Sequence, residues 1–101
     1  MSLEKLTDDQ VTAKLDDAKA WGSSGGAIQR TVQFDDFVGA IAFVNKVAEA
    51  AETADHHPDI LIRYNKVTIT LSTHDAGGIT DRDFDLAATI DELAPAVDQP
   101  V

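Results

Sequence analysis

The sequence predicts an α+β domain in which three helices pack on one face of a four-stranded antiparallel sheet, in the order α-β-β-α-β-β-α. Three segments carry apolar residues at helical spacing, and two pairs of shorter segments carry them at every second position. The two kinds of segment alternate along a chain of 101 residues, which is long enough to bury one core. We therefore interpret residues 1–101 as a single domain.

The first helix is predicted from its start signals. Thr7 can cap it, Gln10 completes a capping box, and Leu6 can pack on Val11 as a hydrophobic staple. The apolar spacing then continues, so we expect this helix to run to about Lys19.

A first hairpin follows this helix. We expect a short strand around Trp21, a turn at the two glycines 25–26, and a longer strand over residues 27–34. The apolar residues that share one face of the longer strand are Ile28, Val32 and Phe34.

The second helix is predicted to be capped by Asp35 and to persist to about Thr53. Its apolar residues recur at steps of four and three, which is typical of a helix lying on a core. We expect the buried stripe to consist of Phe37, Ile41, Val44, Ala48 and Ala51.

The second hairpin is predicted from the alternation that begins after Pro58. Asn65 and Lys66 are the expected turn, because asparagine tolerates a positive φ better than most residues. Tyr64 would then face Val67, and the numbers of facing residues would add up to 131.

The third helix is predicted to begin after Thr80, where Asp83 completes a Thr-x-x-Asp variant of the capping box. Pro95 should end it, and residues 95–101 should fray. Its expected buried residues are Leu86, Ile90 and Leu93.

Composition and charge exclude several classes of function. The chain has no cysteine, which excludes thiolate catalysis and cysteine-ligated zinc. Its 8 Lys and Arg against 18 Asp and Glu give a net charge of −10, so direct binding to nucleic acid is not expected. No membrane-spanning run and no signal-peptide pattern occur, so we expect a cytoplasmic protein that does not bind membranes.

The three histidines are the candidate site. His56 and His57 are adjacent, and the predicted register places His57 opposite His74, so the three side chains should converge. Glu52 and Asp55 lie nearby, at the end of the second helix.

Three interpretations of this cluster stay open from the residues alone. The histidines can be structurally neutral surface residues, or they can be zinc ligands, although adjacent side chains in extended backbone point apart. They can also perform acid–base chemistry, because an imidazole exchanges protons near neutral pH.

A longer motif around the histidines resembles that of the pterin-4a-carbinolamine dehydratases. Residues 52–58 (Glu-Thr-Ala-Asp-His-His-Pro) are followed at fixed distances by Tyr64, His74 and Asp83. Further similar segments are residues 20–21, 34–37, 64–67, 69–74, 80–83 and 86–87, so the resemblance spans nearly the whole chain.

The resemblance implies dehydration of a 4a-hydroxytetrahydropterin to a quinonoid dihydropterin, in tetrahydropterin recycling and with no metal or other cofactor. It implies that His56, His57 and His74 are catalytic. It implies supporting roles for the acidic residues Glu52 and Asp83. Asp55, beside the histidines, is a further candidate for a supporting or substrate-binding carboxylate. The pocket candidates are Pro58, Ile60, Tyr64, Ser72 and Thr73.

The expected partners are a pterin substrate, functionally an aromatic amino acid hydroxylase, and further copies of the chain in a homodimer or homotetramer. Many family members carry an aromatic residue where this chain has Ile60, so we expect the pterin to lose a stacking or packing surface there and turnover or substrate preference to differ from that of such members. The alternative function is a non-catalytic module for dimerisation or transcriptional cofactor binding on the same fold.

Overall fold

A computed structural model describes residues 4–94 of the chain. The helices are α1 (Asp8–Leu15), α2 (Phe37–Ala54) and α3 (Asp81–Leu93), with a 3-10 helix at His74–Ala76. The strands are β1 (Gly22–Ser24), β2 (Ala27–Gln33), β3 (Asp59–Arg63) and β4 (Lys66–Leu71). The predicted order and the α+β fold are confirmed. The predictions for Pro95 and for the tail at 95–101 lie outside the described residues.

The four strands form one antiparallel sheet in the order β1-β2-β4-β3. Its inner face supplies fully buried side chains to the core, which the helices cover. Its outer face is polar, where the Thr31 and Thr68 hydroxyls lie 2.8 Å apart and Gln29 Nε2 donates to Thr70 Oγ1 at 3.0 Å. The fully buried sheet residues are Ile28, Val32, Val67, Ile69 and Leu71. Over residues 4–94, no helix is both long and apolar enough to cross a membrane.

Helix α1 begins as predicted and ends earlier. The capping box between Thr7 and Gln10 is present in both directions. The helix ends at Leu15 rather than near Lys19, and the amide of Asp16 donates to the third residue before it instead of the fourth. Aspartate is a poor helix former, and negative charge is unfavourable at a helix C-terminus, which explains the early end.

The first hairpin has the predicted glycine turn, with φ of 55° at Gly25 and 83° at Gly26. Strand β1 begins one residue after Trp21. The indole of Trp21 is buried and donates from Nε1 to Asp91 Oδ1 at 2.9 Å. Trp21 is therefore an anchor between the hairpin and α3.

Helix α2 differs from prediction at its cap and in the face that it buries. Asp36, not Asp35, caps it by accepting a hydrogen bond from the amide of Gly39 at 2.8 Å. Phe37 is 49% exposed and Val38 is 75% exposed. Two sides of this helix are apolar, and periodicity does not say which one meets the sheet. The buried residues are Ala40, Phe43, Val47 and Ala51, so of the predicted stripe only Ala51 is buried.

The second hairpin turns one residue earlier than predicted. Arg63 pairs with Lys66, so Tyr64 and Asn65 form the turn, with a φ of 55° at Tyr64. Asn65 is held against the end of β2, because its backbone oxygen accepts from the Phe34 amide and its Nδ2 donates to the Phe34 oxygen, both at 2.8 Å. This pairing with a third strand decides the turn, and no local signal in the hairpin reports it.

Candidate functional site

The site is built on the corner between α2 and β3. Helix α2 ends at Ala54, and its C-cap residue Asp55 adopts the left-handed conformation with φ 52° and ψ 44°. The amide of His56 then donates back to the Ala51 oxygen at 3.1 Å, as at other helix ends that close with a left-handed residue. His57 and Pro58 follow and lead into β3. The backbone therefore sends two consecutive histidines out of a fixed turn.

His56 is buried and paired with a carboxylate. Its side chain is 9% exposed, and its Nε2 lies 2.5 Å from Oδ1 of the fully buried Asp83. The other carboxylate oxygen of Asp83 accepts from the Thr73 hydroxyl at 3.0 Å and from the Thr80 amide at 2.9 Å. Asp83 is thus both the capping-box residue that the sequence predicted and the partner of a histidine.

His57 is the exposed counterpart of this pair. Its side chain is 57% exposed, and its Nε2 lies 2.5 Å from Oε2 of Glu52, on the last turn of α2. Glu52 is itself 76% exposed, so this pair faces solvent. One histidine is therefore oriented from inside the protein and the other from its surface.

Both histidines use the same ring nitrogen for their carboxylate. A carboxylate accepts hydrogen bonds and does not donate them, so each Nε2 carries a hydrogen. Nδ1 is the nitrogen of each ring that remains to exchange a proton with a bound molecule. For His56 no partner of Nδ1 is found within residues 4–94, and no fully buried side-chain atom there is unpaired, so this nitrogen reaches solvent.

His74 begins the 3-10 helix after β4 and is exposed. The expected pairing of His57 with His74 is wrong: facing residues add up to 129, as for Asp59 and Thr70, and both histidines lie outside the ladder. His74 still follows directly on Thr73, whose hydroxyl binds Asp83. His74 is thus linked to the corner by its neighbour Thr73 and the buried carboxylate of Asp83, and not by pairing between strands.

The remaining sequence candidates fall into two groups. Pro58 lies in the corner, Ser72 follows β4 next to Thr73, and Ile60 is half-buried against the core. Tyr64 is 65% exposed at the tip of the hairpin, at the far end of β3 from the corner. Five strand residues at about 3.3 Å each separate the two ends, so the structure does not bring Tyr64 to the histidines.

Arg82 is a residue of the corner that the sequence reasoning did not single out. Its Nη2 donates to the backbone oxygen of Asp55 at 2.5 Å and to that of Ala54 at 3.3 Å. An arginine in the first turn of a helix carries no signal of such a contact, because its partners are backbone atoms 27 and 28 residues away.

A groove of about 540 Å³ runs between α2 and α3 and reaches this corner at His56 and Arg82. His57, Glu52 and His74 do not line it. Within the described part of the chain, no three histidine or acidic side chains come together as a group that could hold a metal ion. The residues that line the groove are Lys46, Glu49, Ala50, Thr53, Ala54, His56, Arg82, Asp85, Leu86, Thr89 and Leu93.

Comparison with known proteins gives the family. The model of the family described as pterin 4 alpha carbinolamine dehydratase matches residues 4–93. A "Putative pterin-4-alpha-carbinolamine dehydratase" of Nocardia farcinica is 58% identical over 94 residues, covering 93% of this chain and 99% of its own. A protein of the same name from a Picosynechococcus species is 55% identical and covers 88% of this chain and 97% of its own.

Two solved structures share the fold. A transcriptional coactivator/pterin dehydratase from Brucella melitensis aligns with a TM-score of 0.87 at 33% identity, over 91% of this chain and all of its own. A pterin dehydratase-like protein described as a RuBisCO assembly factor in the alpha-carboxysome aligns with a TM-score of 0.64 at 26% identity, over 74% and 89% of the two chains. Taken with the match over residues 4–93, these similarities show that the chain belongs to the pterin-4-alpha-carbinolamine dehydratases, a family of hydro-lyases.

Proposed function

We propose that this protein dehydrates a 4a-hydroxytetrahydropterin to a quinonoid dihydropterin and water by metal-free acid–base catalysis, in tetrahydropterin recycling. The observation that carries the mechanism is the pair of adjacent histidines, each with Nε2 bound to its own carboxylate. This arrangement orients both rings and leaves Nδ1 of each for proton exchange.

The reaction requires one proton to be delivered and one to be removed. An acid protonates the 4a-hydroxyl, the C4a–O bond breaks and water leaves, while a base takes a ring N–H proton and its electron pair forms the C=N bond. We assign His56 and His57 to the leaving hydroxyl and His74 to the pterin ring. Asp83 and Glu52 support the first two histidines through the contacts described above. One proton is added and one is removed, and the elimination of water neither gains nor loses electrons, so no redox partner is needed.

The metal-free mechanism is supported by the surroundings of the two histidine rings and not by the chemistry of their ring nitrogens. A histidine that binds a metal through one nitrogen commonly donates its other N–H to a carboxylate, so Nδ1 of His56 or of His57 is chemically able to ligate. Their opposite environments, one ring buried and one exposed, argue against a shared ion. We therefore expect EDTA to leave turnover unchanged, whereas a loss that zinc restores would contradict the metal-free proposal.

The test of the activity is a stopped-flow assay with 4a-hydroxytetrahydropterin on the native chain and on His57→Ala. We expect turnover by the native chain and a loss of roughly 100-fold or more in the variant, with the fold retained by circular dichroism. The control is Lys66→Ala, an exposed change at the hairpin tip that should leave turnover unchanged. Equal turnover in native and His57→Ala chains would contradict the catalytic assignment.

We also propose that the protein self-associates and serves an aromatic amino acid hydroxylase by recycling its pterin. The polar outer face of the sheet is a weak candidate for self-association. The free edge of β3 is a better one, because β3 is the last strand in the sheet order and its Leu61, on the outer face opposite Thr68, is 55% exposed. In a two-fold antiparallel pairing centred on Leu61, Asp59 would face Arg63 of the second copy, so opposite charges would meet at both ends.

The self-association is tested by light scattering on the charge-reversal variant Asp59→Arg and on the double variant Asp59→Arg with Arg63→Asp. We expect the single variant to weaken the oligomer and the double variant to restore it. A mass that is the same for all three chains would contradict pairing through this edge.

A second candidate function is a module for dimerisation or for binding a transcription factor. It is favoured by the exposed apolar residues Phe37 and Val38 of α2 and by the coactivator description of the Brucella melitensis relative. The two carboxylate-paired histidines favour catalysis, since a scaffold does not need them. If His57→Ala loses turnover and keeps its oligomeric state, catalysis is the function of the corner, and no turnover by the native chain would favour the module.

A further inference from the structure

We propose that Arg82 is a positioning residue that holds the two histidines in place by fixing the backbone immediately before them; this inference rests on the proposed function. Its guanidinium donates from Nη2 to the oxygens of Ala54 and Asp55, the last two residues before His56. Arg82 is half-buried, and within residues 4–94 it makes no hydrogen bond or ion pair with either histidine. It would therefore act through the backbone.

The backbone at this point needs an external partner. The last carbonyl groups of a helix have no hydrogen-bond donor within the helix. The oxygens of Ala51 and Glu52 are satisfied by amides of the turn itself, from His56 and Asp55. The last two oxygens before His56, at Ala54 and Asp55, accept hydrogen bonds from the guanidinium of Arg82 instead. Arg82, a residue of α3, thus supplies the hydrogen-bond donors that the C-terminal end of α2 lacks.

The conformation that it stabilises is an unfavourable one. Asp55 has a φ of 52°, a region that glycine occupies readily and that other residues rarely adopt. The end of α2 also carries the carboxylates of Glu52 and Asp55, where the helix dipole disfavours negative charge. The hydrogen bonds of the guanidinium hold Asp55 in this conformation, and its positive charge offsets the unfavourable negative charge at the end of α2.

Arg82 and Asp83 together make the first turn of α3 a template for the site. Asp83 binds the ring of His56, while Arg82, the preceding residue, binds the peptide oxygen that leads into His56. The ring and the backbone of one residue are thus held by neighbours in sequence. Because His57 is one peptide further on, its direction also depends on this contact, and Glu52 can meet it only if the last turn of α2 is intact.

The test uses Arg82→Met, which keeps the aliphatic stem, and Arg82→Lys, which keeps the charge but lacks the planar fork. The matched control is Lys14→Met, because Lys14 pairs with Asp81 in the same first turn of α3 at 3.1 Å and does not contact the corner. Each variant is compared for kcat, KM, free energy of unfolding, and the ring NMR signals of His56 and His57.

We expect kcat of Arg82→Met to fall roughly 10- to 100-fold while KM changes little, because the acid–base groups are displaced rather than removed. Arg82→Lys should be intermediate, and Lys14→Met should match the native chain. The ring signals of both histidines should move in Arg82→Met and not in Lys14→Met.

Two results would overturn the proposal. One is a kcat for Arg82→Met equal to that of Lys14→Met, or reduced only by its unfolded fraction. The other is unchanged ring signals of both histidines. The NMR measurement needs no turnover, so it tests the positioning role even if the native chain fails the dehydratase assay.

Discussion

The hydroxyl oxygens of Thr73 and Thr80 lie 2.7 Å apart, and both residues also bind the carboxylate of Asp83. The single hydrogen of the Thr73 hydroxyl goes to Asp83, so the hydroxyl of Thr80 must donate to Thr73. The Thr80 oxygen in turn accepts from the amide of Arg82 at 3.2 Å. Every hydrogen bond of this buried group thus has one direction, and all of them end at the carboxylate that holds His56.

The first prediction is that Asp83→Asn reverses the proton arrangement of His56. All three partners of Asp83 are donors. The side-chain NH₂ group of an asparagine in its place would therefore face one of these donors instead of an acceptor. We expect the free energy of unfolding to fall by about 1–3 kcal/mol and His56 to carry its hydrogen on Nδ1. Urea unfolding and ¹⁵N NMR of the ring measure the two effects.

The control for that variant is Asp81→Asn, in the same helical turn but 70% exposed. It should change neither the stability beyond about 0.5 kcal/mol nor the ring of His56. An Asp83→Asn chain with the native ring spectrum would show that the carboxylate does not determine the tautomer.

The second prediction separates stability from activity at Glu52. The pair of Glu52 and His57 is exposed, and exposed ion pairs contribute about 0–1 kcal/mol. We expect Glu52→Gln to change the unfolding free energy little and to lower kcat about 10-fold or more, because the His57 ring loses its charged partner. Glu49→Gln, one turn earlier on α2, is the control. Equal kcat in the two variants would exclude a supporting role for Glu52.

The third prediction concerns the left-handed residue Asp55. Glycine should relieve strain at this φ of 52°. We therefore expect the free energy of unfolding of Asp55→Gly to equal that of the native chain or to exceed it by up to about 1 kcal/mol. Asp55→Ala removes the same carboxylate and keeps the strain, so it should be less stable than Asp55→Gly. If the carboxylate binds substrate, both variants raise KM alike; a native KM in both would limit Asp55 to a structural role.

The fourth prediction concerns Ile60, where many family members carry an aromatic residue. Ile60 is half-buried, packs against the core and faces Ile69 across the strands. We expect Ile60→Trp to lower the free energy of unfolding by about 1–3 kcal/mol, because the surrounding core is already filled. Ile60→Val is the control and should cost about 0.5–1.5 kcal/mol. A stable Ile60→Trp chain with a lower KM would show that the site accepts a stacking surface.

Local signals predicted a large part of this molecule. The capping boxes at Thr7 and Thr80, the glycine turn and the sheet strands all follow from interactions between residues close in sequence. The end of α1 was predicted too late, because the apolar spacing continues beyond the point where aspartate, a poor helix former, ends the helix. The cap and the buried face of α2 were missed because both neighbouring aspartates can cap and both sides of the helix are apolar.

The sequence by itself determined the family and the α+β order and indicated the residues of the proposed site, because each depends on residue type and spacing along the chain. Only the tertiary structure decided how these residues meet. Asn65 shifted the hairpin register by bonding to a third strand, so His74 approaches the corner through Thr73 and Asp83 instead of facing His57. Arg82 became part of the site through backbone oxygens remote in sequence. Contacts of that kind depend on the packing of α3 against α2, which no spacing within either helix encodes.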